Sequence, residues 1–350
     1  MPSLVRRKLR VEAASASYET DKYVANLENL REVLARYGVA ILPGLLNEEE
    51  IQKMNEGMWT TLEEMTSEFS GGAAPIDRQK KETWENIQEL KPAHGFMIRN
   101  WGVGHARYAW DIRGNKKVCE AFAVVHQTPP AELITSFDAV SVLLPDSNPV
   151  SAQTSPELWL HTDQRFNSEQ DPCHYSVQAW VTGYDVVEGS ATLALLEGSH
   201  KHHAAFAHRF GLTAHSSNWW QLEHEEHFAF LNRQRQCNLR AVCCPAGSMV
   251  LFDSRLFHSG MGPPSGTQPL PRHVVYVCMT PREWCTEGDL CKRRNLFFNG
   301  RMTGHIPHVP DPAALFPRGQ HGVGAARVRA PSGYAVDELT VRMRTLVPLE

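Results

Sequence analysis

Apolar positions in the first third of the chain change their period twice. Leu27, Leu30, Val33 and Leu34 recur at helical spacing within residues 22–37, and Gly38 follows where a glycine ends a helix. The apolar run from Val39 to Leu46 predicts a short buried strand. Asn47, with Glu50 three residues on, supplies a capping-box start for a second helix reaching about Glu64. Residues 67–91 are polar and hold a Gly71-Gly72 pair, which predicts a mobile surface excursion. From residue 136 the period falls to two, and strands are expected over 137–145, 158–163, 175–187, 191–197, 247–257 and 272–279. Many short strands separated by turn signals such as Glu188-Gly189, Gly198 and Pro245-Ala-Gly247 predict a mainly β protein with flanking helices. The expected core is a jelly roll, the double-stranded β-helix of cupin-like proteins.

Composition narrows the class without naming a chemistry. The 350 residues are 42% hydrophobic, enough for a sizeable core, and 35 basic against 39 acidic residues leave a net charge of −4. That balance gives no general attraction to nucleic acid or to acidic membranes, so Arg78–Lys81 and Lys292–Arg294 read as solvated loops. No window approaches about 18 uninterrupted apolar residues, so no span is expected. The basic start, Met1 to Arg10, lacks the apolar stretch of a secretory signal, and Glu12, Glu19 and Asp21 argue against a transit peptide. The expectation is a cytoplasmic protein, with organellar transit left open. Eight cysteines without a Cys-x-x-Cys pair read as reduced thiols.

The candidate chemistry sits in Leu158-Trp-Leu-His161-Thr-Asp163-Gln164 and, 97 residues after His161, in Leu251-Phe-Asp-Ser-Arg-Leu-Phe-His258-Ser-Gly260. A strand's alternation turns His161 and Asp163 to one side and Thr162 to the other. Two imidazoles and one carboxylate are the ligand set that holds non-haem Fe(II) while leaving positions open. A lone His-x-Asp is weak, and the order of its surroundings carries the argument. A strand with Gln178 and Trp180 follows, then Gly198-Ser-His200, and then a glycine turn at Gly247 feeds the apolar strand that delivers His258.

In that order the chain resembles the phytanoyl-CoA dioxygenase family of Fe(II)/2-oxoglutarate oxygenases, over roughly residues 23–280. Tyr37-Gly38-Val-Ala-Ile-Leu-Pro43-Gly44 is similar to the family's opening strand. The resemblance implies an enzyme in which His161, Asp163 and His258 hold iron, with 2-oxoglutarate and dioxygen (O2) taking the remaining positions. It implies that Arg272, opening the last strand 14 residues after His258, binds the distal carboxylate of 2-oxoglutarate, with Arg255 and Arg282 as rivals. The family often places a hydroxyl two residues after the second histidine. Here that position is Gly260, so Ser259 is the substitute expected to contact the cosubstrate, and Gln178 either lines its cavity or packs the barrel. Asp163 argues for hydroxylation, because related halogenases carry a small residue there.

The expected organisation is an N-terminal extension over 1–21, an oxygenase domain over 22–290 with insertions at about 67–115 and 200–240, and a Pro-rich C-terminal extension over 291–350 packing on the core. Arg99, Trp101, Trp110 and Arg113 suit either a substrate wall or helix packing. Gln164 and Phe166 are expected to edge the pocket, the His-rich 200–240 segment to be a solvated helical lid, and His305 and His308 to lie in a loop. The function expected is hydroxylation of a small metabolite or natural-product-like molecule, with 2-oxoglutarate converted to succinate. The alternatives are the same chemistry on a nucleobase or protein side chain, or a non-catalytic metal-binding cupin-like module.

Overall fold

The structure is a computed structural model that describes residues 9–69, 72–145, 157–166, 175–264, 266–316 and 327–349; Gly71 and Cys173 lie outside them. Its strands are β1 (Ser17–Glu19), β2 (Val39–Leu42), β3 (Met97–Ile98), β4 (Leu133–Thr135), β5 (Val140–Leu143), β6 (His161–Thr162), β7 (Val177–Thr182), β8 (Thr192–Leu196), β9 (Trp220–Gln221), β10 (Leu239–Val242), β11 (Met249–Asp253), β12 (His258–Met261) and β13 (Arg272–Pro281). One sheet runs β1-β10-β8-β12-β6-β9 and the other β2-β11-β7-β13-β5-β3, with β4 also on β13. Pairing is antiparallel except between β1 and β10. This is the jelly-roll core that the alternating pattern predicts.

Period two sorts the second sheet's side chains. Ala179 and Val181 of β7, Met249 and Leu251 of β11, and Val275 and Val277 of β13 turn outward into one apolar cluster. They meet helices α1 (Leu30–Tyr37), α2 (Glu48–Thr66), α3 (Arg107–Arg113) and α4 (Lys116–His126) there. Trp180, Val250, Phe252 and Val274 turn the other way, onto Leu193 and Leu195 of β8. The α2 cap forms as the sequence predicts: Glu50 donates its backbone N–H to Asn47 Oδ1 at 2.9 Å, and Asn47 returns one to Glu50 Oε2 at 2.8 Å. Gly38 closes α1 at φ +81, and a Cβ there would meet His200 Nδ1 at 2.5 Å, so both backbone and space require glycine.

Two expectations change. Residues 81–90 are helical and bury Trp84, Ile87 and Leu90 in the main core, while Arg78 forks onto Glu63 at 2.9 and 2.7 Å. Apolar residues spaced through a polar stretch anchor residues 81–90 in place of a mobile excursion, while Gln79, Lys80 and Lys81 are exposed, as a solvated run would be. The 200–240 insertion, with α5 (His203–Phe210) and α6 (Glu225–Ala229), is helical as expected but not simply solvated. Phe206, Phe230 and Leu231 build a second core on Ala194 and Leu196 of β8, and His200, His203 and His227 are buried.

The tail continues through α7 (Glu287–Phe298) and α8 (Val341–Leu346), which place Phe297, Met343 and Leu346 in the main core. Arg293 of α7 is fully buried and donates to the carbonyls of Thr135 (2.5 Å), Pro307 (2.9 Å) and Leu346 (3.2 Å). The seven described cysteines are unbridged. No helix among the described residues is long and apolar enough to cross a membrane.

Candidate metal centre

His161 on β6 and His258 on β12 face each other as a register pair. Each imidazole places Nδ1 on the backbone carbonyl two residues earlier, Trp159 at 3.0 Å and Leu256 at 2.9 Å. That bond fixes the ring and leaves Nε2 as a lone pair directed inward. Asp163 is held by its backbone N–H on the Ser254 carbonyl at 2.9 Å. Its Oδ2 lies 3.2 Å from His258 Nε2 and 3.6 Å from His161 Nε2, and it accepts a hydrogen bond from Gln178 Nε2 at 2.8 Å. The three ligand atoms lie within 4.8 Å of one another, the one such group among the described residues. Burial and the neighbouring His258 lower the His161 pKa. Burial alone would raise the Asp163 carboxyl, but His305, His161 and His258 outweigh it and hold it well below the usual range. Two imidazole nitrogens and a carboxylate, buried together within reach of one point, are a donor set that fits a divalent transition metal.

The triad opens into a cavity of 370 Å³ between the sheets. Arg272 enters it from β13, anchored by Nε on Ser141 Oγ at 2.8 Å and Nη1 on the Ala191 carbonyl at 2.6 Å. Phe96 and Trp180 flank the guanidinium at 5.5 and 5.6 Å. These two bonds leave the Nη2 amino group for a ligand. The rival Arg255 is engaged by Asp253 at 2.9 and 2.5 Å, and neither it nor Arg282 lines the cavity.

Of the other predicted residues, the structure brings Gln178 and Arg99 to the cavity. Ser259 is a correction: alternation along β12 turns it away from His258, and its Oγ donates to the Gly260 carbonyl and accepts from the Trp159 N–H. Trp101 is also corrected, since its indole N–H donates to the Leu90 carbonyl at 3.0 Å and its ring packs on Phe316. Trp110 and Arg113 lie in the core, where Arg113 donates to the carbonyls of Gly104 and Asp138. Gln164 borders a separate cavity of 280 Å³ beside Ile306 and His308, and Phe166 stacks on His203 in the insertion's core.

Several cavity residues escape a sequence reading. His94, Trp159 and His161 stack as a column, each neighbouring pair 4.1 Å apart and 5° from parallel. His94 is exposed at the cavity mouth, and its close packing, aided by Arg99 and His161, lowers its pKa. Alternation through His161 was a signal for Trp159, since residues 159, 161 and 163 share a side. Trp219 and Gln221 arrive from the insertion, Asp138 from the approach to β5, and His305 from the tail. His305 Nε2 stands 3.5 Å from Asp163 Oδ1.

The family described as phytanoyl-CoA dioxygenase (PhyH) matches residues 34–266. The chain is 27% identical over 239 residues to Ava biosynthesis cluster protein O of Aspergillus versicolor, covering 67% of this chain and 73% of that protein. Among solved structures, hypothetical protein JW0805 of Escherichia coli at high pH superposes with a TM-score of 0.60 at 13% identity, over 93% of this chain and 84% of that one. The protein of GlcNAc inducible gene 2 from Candida albicans superposes at 0.51 with 11% identity, over 82% and 71%. These structural likenesses extend to the fold.

Proposed function

From the premise that the chain belongs to the phytanoyl-CoA dioxygenase family, and is an enzyme of the Fe(II)/2-oxoglutarate oxygenase type, we propose that it hydroxylates a small natural-product-like molecule. His161, Asp163 and His258 hold the iron, and Arg272 holds the distal carboxylate of 2-oxoglutarate. The observation that carries this reading is the meeting, in one cavity, of the buried triad and a buried arginine with a spare donor. A barrel that only bound metal would have no use for that cation.

The iron, 2-oxoglutarate and dioxygen together supply the oxidation, in which 2-oxoglutarate becomes succinate and carbon dioxide and one oxygen atom enters a substrate C–H bond. The protein's part is orientation. Carbonyl-bonded Nδ1 atoms hold both imidazoles, Gln178 holds Asp163, and Trp159 stacked on His161 fixes one wall. Phe96 and Trp180 exclude water around Arg272, which strengthens its grip on an anion. The substrate lies against Trp159, Trp219 and Tyr276, an aromatic lining suited to a planar or largely apolar molecule. A relative named for a biosynthesis cluster supports that substrate class.

Anaerobic addition of 2-oxoglutarate to iron-loaded protein is expected to give a visible charge-transfer band that His258→Ala lacks. A protein without the band, indistinguishable from that variant, would refute the assignment.

A further inference from the structure

We propose that His305, carried into the site by the C-terminal tail, is a positioning residue that keeps Asp163 a one-oxygen ligand and so preserves the metal positions 2-oxoglutarate needs. This rests on the oxygenase reading above.

The two oxygens of Asp163 have different neighbours. Oδ2 faces His258 and His161 and receives Gln178. Oδ1 has His305 Nε2 at 3.5 Å, a few tenths of an ångström beyond hydrogen-bond length. Asp138 lines the same cavity. Its carboxylate is buried and its Oδ1 is taken by the Ala139 N–H at 2.6 Å. Both acids thus share the cavity with His305, and Asp163 is the carboxylate in contact with the ring.

The tail is built to hold it there. Thr303 receives the Phe137 N–H on Oγ1 at 2.9 Å and returns its own N–H to the Phe137 carbonyl at 3.1 Å. His105 Nε2 lies 3.0 Å from the Arg301 carbonyl, and Arg293 holds the Pro307 carbonyl. Four ties thus bracket His305 within a few residues on either side.

A carboxylate can bind a metal through one oxygen or through both. With both, the triad would fill four octahedral positions, too many for a chelating cosubstrate and dioxygen together. An imidazole N–H that closes the remaining few tenths of an ångström onto Oδ1 would engage the second oxygen elsewhere. Removing it frees Oδ1 to compete with 2-oxoglutarate while leaving iron held.

The test titrates 2-oxoglutarate anaerobically into iron-loaded wild type, His305→Ala and His305→Gln, following the visible band. Iron dissociation is measured separately by chelator competition, and melting temperature on the metal-free proteins. In His305→Ala the 2-oxoglutarate Kd is expected to rise by about tenfold or more, with iron affinity and melting temperature essentially unchanged. His305→Gln, which keeps an N–H donor, should recover much of the loss. Unchanged 2-oxoglutarate binding overturns the inference, as does a parallel fall in iron affinity and melting temperature, which marks His305 as packing. A wild type with no band defeats the oxygenase reading itself, and this inference with it, whatever the variants do.

Discussion

Gln178 Nε2 donates to Asp163 Oδ2 at 2.8 Å, tying the oxygen that faces both histidines to a central strand of the opposite sheet. Gln178→Leu keeps the bulk and removes the donor. It is expected to weaken Fe(II) binding by about tenfold, measured by chelator competition. Equal affinities would show that the backbone tie of Asp163 to the Ser254 carbonyl is enough to place the carboxylate.

Arg272→Ala should raise the 2-oxoglutarate requirement by about a hundredfold or more, since removing one partner of a buried charge pair costs roughly 3–5 kcal/mol. Iron affinity should change little. Arg272→Lys is expected to recover only part, because a lysine cannot hold Ser141 and the Ala191 carbonyl and still present a donor. Titration of both variants checks this, and unchanged affinity in both would move the role elsewhere.

The 96–113 segment divides by burial. Trp110→Ala should cost about 3–5 kcal/mol of stability, and Arg113→Ala should leave buried carbonyls unpaired at about 1–3 kcal/mol each. Arg99→Ala, at the exposed cavity rim, should leave melting unchanged and lower product formed per succinate. Thermal melts set beside a succinate-to-product ratio separate the two groups.

Stability should fall with acid before most carboxylates titrate. Burial pushes His105, His126 and His203 down to about 4. The unfolded chain takes up these protons near pH 6.5 and the fold takes them up only near 4. Their contribution is therefore complete above 6.5 and lost as pH drops toward 4. His126→Gln should flatten the slope in that window by up to about 1.4 kcal/mol per pH unit. Denaturant titrations between pH 4.5 and 7 provide the slope, and an unaltered one would clear His126.

Alternation was the strongest signal in the sequence, and it explains a failure as well as the successes. It sets His161 beside Asp163, and applied to β12 it turns Ser259 away from His258. Applied to residue 159 it puts Trp159 in the His161 column. Burial of the aromatic segment could not be read the same way, because Arg99 and Arg113 are chemically alike and only packing partners distinguish them. His305 was illegible for a different reason. Its Pro-rich surroundings have no period, and its approach to Asp163 depends on Thr303 and Phe137, which are far apart in the chain.

Arg293 joins carbonyls from three distant stretches, the barrel at Thr135, the tail loop at Pro307 and the last helix at Leu346. Loss of any one of these acceptors would leave a buried N–H unsatisfied, so the three stretches are expected to loosen together. Fraying of the last turn is therefore expected to reach the loop that bears His305 and the strand at Thr135. A protease that clips the final helix would inactivate the enzyme rather than trim it, and tail cleavage would report on the integrity of a centre far away along the chain.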